Sequence, residues 1–145
     1  MTAGDYLRVM SAEGVGLWES SEYFGGSENC YFPRAPARDE MMMQSCMPQR
    51  LLALPGGEIL VAQNEGQRVV KNVPLYKNSR LVSLGWNGYS LVESWRTASQ
   101  NGYMGDFAMA DADNDGSEEL VMIVRFQTKG LIDKARSSVI IYEME

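Results

Sequence analysis

Residues 107–124 read Phe107-Ala108-Met109-Ala110-Asp111-Ala112-Asp113-Asn114-Asp115-Gly116-Ser117-Glu118-Glu119-Leu120-Val121-Met122-Ile123-Val124. An acidic segment with one glycine is held between two apolar runs, each short enough for a strand and neither long enough for a typical helix. The pattern predicts a β-hairpin whose loop carries the chemistry. Counting from Asp111, carboxylates stand at loop positions 1, 3, 5 and 9 and glycine at position 6. Alternate residues of a tightly curled loop aim their side chains at a common centre, which is what a calcium ion needs. That ion takes ~6–8 oxygens with loose angular demands. Gly116 permits the sharp turn, and Ser117 at position 7 supplies a main-chain carbonyl. Asp111, Asp113, Asp115, the Ser117 carbonyl and Glu119 are therefore the expected ligands. Calcium is favoured over magnesium, because an all-carboxylate cage suits the larger and less hydrated ion. An EF-hand does not fit: it requires a glutamate at position 12, where Met122 stands, and flanking helices. The competing reading is a solvated acidic turn, since Asp, Asn and Gly populate turns without any metal. Four carboxylates at ligand spacing argue against it.

Outward from this hairpin the chain is β almost throughout. Runs rich in Val, Ile, Leu, Tyr and Trp alternate with Gly, Asn and Asp. Strands are expected at Tyr6–Met10, Gly16–Ser20, Arg50–Leu54, Glu58–Gln63, Arg80–Trp86, Ser90–Arg96, Asp106–Ala110, Glu119–Phe126 and Ser137–Glu143. Asn87-Gly88 reads as a tight I′ turn in which both residues take positive φ. Glu13-Gly14 plays a similar part less sharply. Two internal similarities organise these strands. Leu7, Gly14, Leu17, Glu19 and Ser20 fall on Leu81, Gly88, Leu91, Glu93 and Ser94 at one constant offset. Glu58-Ile59-Leu60-Val61 falls on Glu119-Leu120-Val121-Met122, with the short turn Pro55-Gly56-Gly57 where the later hairpin has its acidic loop. Tandem four-stranded antiparallel units of this kind are the pattern of propeller blades. The expected architecture is all-β, a partial propeller of about two and a half blades. Residues 1–28 form a leading half-blade hairpin, 29–49 an insertion or connector, 50–97 a degenerate blade and 102–145 the calcium-loop blade.

The stretch Gly105-Asp106-Phe107-Ala108-Met109-Ala110-Asp111-Ala112-Asp113-Asn114-Asp115-Gly116-Ser117-Glu118-Glu119-Leu120-Val121 resembles an FG-GAP (VCBS-type) repeat, a blade unit of β-propellers in integrin α-chain heads and in bacterial surface or exported proteins. The resemblance covers residues 102–126 well and Leu51–Gln63 only in a degenerate form without ligands. It implies calcium in the loop between the first two strands of a blade, held by Asp111, Asp113, Asp115, Ser117 and Glu119. It also implies a periplasmic or cell-surface location for the parent protein.

Composition narrows the rest. With 145 residues and 45% hydrophobic content a packed core is within reach. Thirteen Lys+Arg against nineteen Asp+Glu give a net charge of −6, the wrong sign for a nucleic-acid partner. No apolar run approaches the ~20 residues of a membrane span. The N-terminal residues lack the pattern of a signal peptide, so the chain reads as a cytosolic protein or as part of a longer exported one. Histidine is absent, which removes Ser-His-Asp triads, histidine bases and histidine metal sites. Cys30 and Cys46 cannot build a redox CxxC or a zinc cluster; they read as two independent thiols or as one disulfide. Residues 33–48, with three prolines and Met41-Met42-Met43, read either as a short helix over about 37–47 or as an irregular insertion.

These readings converge on a non-catalytic, calcium-stabilised module that binds a protein or carbohydrate ligand and self-associates through exposed blade edges. The alternative is a propeller-type hydrolase or lyase with Asp106, Glu93 or Asp133 as acid and base. Its mark would be a pocket holding two carboxylates besides the calcium ligands. Of the tryptophans, Trp18 and Trp95 are expected to pack between blades and Trp86 to be more exposed.

Overall fold

The computed structural model describes residues 6–27, 30–31, 45–70, 73–126 and 136–144. Within them the chain is all-β and antiparallel, with twelve strands in chain order. They are β1 (Tyr6–Met10), β2 (Gly16–Tyr23), β3 (Cys30–Tyr31), β4 (Ser45–Cys46), β5 (Leu51–Ala53) and β6 (Ile59–Val70). Then come β7 (Val73–Trp86), β8 (Leu91–Arg96), β9 (Gln100–Asn101), β10 (Tyr103–Ala110), β11 (Glu119–Phe126) and β12 (Arg136–Tyr142). Strands pair as β1-β2, β3-β4, β5-β6-β7-β8 and β10-β11-β12, with β9 joining β7. No helix among the described residues is long and apolar enough to cross a membrane.

Alternation along β6 and β7 explains the layering. Successive residues of a strand point to opposite faces, so Leu60, Ala62 and Leu81 share one face of the five-stranded sheet while Val61, Val82 and Leu84 share the other. The first face packs with Met104, Phe107, Leu120, Met122 and Val124 of the three-stranded sheet, and Trp95 lies against this cluster. The second face is covered by Leu7 of the N-terminal hairpin together with Phe24. The middle sheet is therefore buried on both sides along its central strands β6 and β7, while β5 and β8 are largely exposed. β10 reaches the core by a bulge: the register passes from Met104↔Val124 to Asp106↔Ile123, so Gly105 is the extra residue. The bulge lets Met104 and Phe107, three positions apart, both face inward.

Two amides stitch the layers together. Asn64 on β6 accepts a hydrogen bond from the Met104 N–H (2.9 Å) and donates to the Met104 carbonyl (3.3 Å), as a neighbouring strand would. Gln49 donates to the same carbonyl (3.1 Å), to Tyr103 Oη (2.9 Å) and to the Gly26 carbonyl (3.0 Å). Replacing Asn64 with alanine leaves the buried Met104 N–H without its acceptor, while the Met104 carbonyl keeps Gln49 as a donor, and is expected to cost about 1–3 kcal/mol. A lower urea midpoint with an unchanged slope would report it. Gly102 is the tightest backbone site, with φ +129° and no room for a side chain, because a Cβ there would collide with the Arg125 carbonyl oxygen. Gly102→Ala combines that clash with an unfavourable φ, and a loss of about 3 kcal/mol or more is expected in the same assay.

Several details differ from the sequence expectations. β6 and β7 run on past Gln63 and before Arg80 into a long hairpin that closes at Val70↔Val73. The Asn87-Gly88 loop is not a I′ turn: Gly88 has positive φ but Asn87 does not. Asn87 instead caps a four-residue loop between Trp86 and Leu91, its Oδ1 accepting from the N–H groups of Tyr89 and Ser90 (2.9 Å each). A side-chain cap supplies what a second left-handed residue would have supplied. Of the helix or insertion considered over 37–47, residues 37–44 lie outside the described residues, while Ser45–Cys46 is strand.

Candidate metal centre

The acidic loop joins β10 to β11 and is closed at its base by the pair Ala110↔Glu119. Its curl follows from two residues with positive φ, Asn114 (66°) and Gly116 (95°). Asparagine is among the few residues with a side chain that tolerate this conformation, and glycine enters it freely. The carboxylates then turn inward and collect main-chain N–H donors. Asp111 accepts from Asp115 N–H and Gly116 N–H (3.1 Å each), Asp113 from Asp115 N–H (3.1 Å), and Asp115 from Ser117 N–H (2.7 Å). Glu119 Oε2 accepts from Ala112 N–H (2.7 Å) across the mouth of the loop.

The result is a convergence of like charge. Asp111, Asp113, Asp115 and Glu119 each bring a carboxylate oxygen to a common point, all within 4.8 Å of one another. Ser117 lies in the same loop, two residues before Glu119. The ion pairs seen among the described residues all lie elsewhere: Arg8–Glu19, Arg50–Asp106, Arg80–Glu65 and Arg96–Glu93. Four carboxylates at such separations repel one another strongly unless a cation stands among them.

Glu119 sharpens the point. It is 1% exposed, yet along β11 it shares the face of Val121 and Ile123 rather than that of the core residues Leu120, Met122 and Val124. It is therefore buried against the loop that folds back over it. Its Oε1 has no hydrogen-bond partner among the described residues. A buried carboxylate oxygen without a donor is costly, and a bound cation would satisfy it. The donor set is all oxygen and strongly anionic, as hard divalent cations require.

A fifth acid approaches from β12. The register Leu120↔Tyr142, continued by one residue, sets Glu143 beside Glu119. Desolvation raises the Glu143 pKa above its ordinary value, and the charges of Glu119, Asp113 and Asp115 add to the shift. Sequence spacing could not find this neighbour, because the link depends on the pairing of β11 with β12.

The residues considered for acid–base chemistry are not brought together. Asp106 pairs with Arg50 (3.0 Å), Glu93 pairs with Arg96, and Asp133 lies outside the described residues. A cleft of about 330 Å³ does form beside Gln49, Tyr103 and Asp106, but among the described residues Asp106 is the one carboxylate in its lining. Trp18 is half-buried in β2, and Trp86 is 38% exposed. No family model, no curated protein and no solved structure matches the chain.

Proposed function

We propose that the chain is a non-catalytic interaction module of FG-GAP/VCBS type, made of β-propeller-like blades and stabilised by one structural calcium ion. Asp111, Asp113, Asp115, the Ser117 carbonyl and Glu119 hold the ion. The observation that carries this reading is the 1% exposed Glu119, whose Oε1 lacks a partner beside three converging aspartates. The ion neutralises the loop, ties Ala110 and Glu119 at the base of the hairpin, and so fixes the entry of β11 into the core. Binding at a site that exists only in the folded chain adds directly to folding free energy.

Layering supports the blade reading. A four-stranded meander whose central strands β6 and β7 are buried on both faces, between two further antiparallel sheets, resembles one blade between its neighbours. The outer face of the three-stranded sheet carries Ile123, Val139 and Ile141 at 45%, 63% and 53% exposure. The register Ile123↔Val139 and Val121↔Ile141 makes them one continuous row. An exposed row of this kind fits a role in association with another protein or a second copy of the chain. A periplasmic or cell-surface setting, where calcium is plentiful, suits a site of modest affinity.

Calorimetric titration of the chelator-treated chain tests the centre. The expected result is one calcium ion per chain, bound at least tenfold more tightly than magnesium. Substitution Asp113→Ala should abolish the heat. No calcium binding at millimolar concentration, or equal binding by the Asp113→Ala variant, would overturn the assignment.

A further inference from the structure

Outside the acidic loop, the placement of the two cysteines stands out. Cys30 and Cys46 are direct partners across the β3–β4 ladder, with Tyr31↔Ser45 as the other pair. Directly opposed residues of an antiparallel ladder occupy the same face, with Cα atoms about 4.5–5.5 Å apart. That separation lies inside the roughly 4.4–6.8 Å range that a disulfide spans without moving the backbone. The chain has no third cysteine to compete. A ladder of two residues per strand, whose strands stand fourteen residues apart in the chain from Tyr31 to Ser45, gains little from its own hydrogen bonds. A covalent bond at this point removes the closure entropy that the ladder alone would have to offset.

We propose that Cys30 and Cys46 form a disulfide that clamps the two chain segments beside the cleft. Ser27, shortly before Cys30, and Met47, immediately after Cys46, both line that cleft together with Gln49 and Tyr103. Both segments are anchored below the clamp. Gly25 N–H donates to the Ala62 carbonyl (2.5 Å) and Gln49 donates to the Met104 carbonyl (3.1 Å). The bond therefore ties together the two chain segments that contribute Ser27 and Met47 to the cleft wall. Formation proceeds by exchange with a disulfide R–S–S–R. One cysteine thiolate attacks and releases R–S⁻, giving a mixed disulfide; the second thiolate attacks that sulfur and releases the other R–S⁻. The two cysteine protons pass to the departing thiolates, so the protein loses two electrons and R–S–S–R becomes two R–SH. The clamp is independent of the calcium assignment.

The test uses the whole chain equilibrated with glutathione disulfide, acid-quenched, unfolded and treated with iodoacetamide. The expected product carries no alkyl group and yields a Cys30–Cys46 linked peptide on non-reducing digestion; after dithiothreitol it takes two alkyl groups. The oxidised chain should melt several degrees above the reduced chain. The double variant Cys30→Ser, Cys46→Ser should melt with the reduced form and ignore glutathione. Two alkyl groups, two glutathione adducts or a disulfide-linked dimer after oxidation would each overturn the proposal, as would equal melting of the oxidised and reduced chains.

Discussion

Calcium added to the chelator-treated protein at a hundred times its dissociation constant should raise the melting temperature by roughly 5–10 °C. The figure follows from linkage: a ligand confined to the folded state at that excess adds about 2.7 kcal/mol, and a domain of this size gains a few degrees for each kcal/mol. The gain should grow with the logarithm of calcium concentration and vanish in Asp113→Ala. Salt alone should reproduce only a small part of it. Screening weakens repulsion among the exposed Asp111, Asp113 and Asp115, but it does not reach the buried Glu119 Oε1. Equal melting temperatures in excess calcium and excess chelator would remove the ion from any structural role.

Glu119→Gln should reverse its effect with the state of the site. The amide keeps the shape of the side chain and an oxygen able to accept from Ala112 N–H, but it carries no charge. In chelator the wild-type chain holds a buried carboxylate oxygen without a donor beside three other carboxylates. The variant is relieved of that charge, and an amide N–H can donate to an aspartate. A stabilisation of about 1–2 kcal/mol is expected there. In excess calcium the order inverts, because the variant offers one fewer anionic ligand at the most enclosed position. Thermal melts of both proteins in both buffers form a four-point test. A variant less stable than wild type in chelator would show that the Glu119 carboxylate is held by protein contacts rather than reserved for a cation.

How much of the fold is legible in the sequence follows from which forces act locally. Spacing at loop positions 1, 3, 5 and 9 brings Asp111, Asp113, Asp115 and Glu119 to within 4.8 Å, because a curled loop is a local object and its glycine is visible in the sequence. The apolar runs of β11 and β1 gave strands whose bounds agree with the observed Glu119–Phe126 and Tyr6–Met10. The sequence understates the long β6–β7 hairpin because Asn64, Glu65 and Asn78 resemble loop residues. Backbone pairing in register holds them in strand, and side-chain polarity does not report that pairing. Asn64 is the sharpest instance, a polar side chain whose purpose appears only when Met104 comes alongside. Glu143 is another, since its approach to the loop depends on the pairing of β11 with β12. The bulge at Gly105 was equally hidden, for a period of two along Tyr103–Ala110 does not announce where it will be interrupted.

The ladders also decide how the molecule comes apart. Among the described residues, every ladder except the β7–β9 contact and the isolated Gly25–Gln63 bridge joins strands consecutive in the chain. Each sheet can thus zip up from neighbouring segments with little search, as low contact order favours. The seams between sheets, made of packed apolar side chains and the amides of Gln49 and Asn64, close afterwards. Opening along a seam leaves every ladder intact, so the sheets behave as separate cooperative units whose mutual docking is the most fragile step.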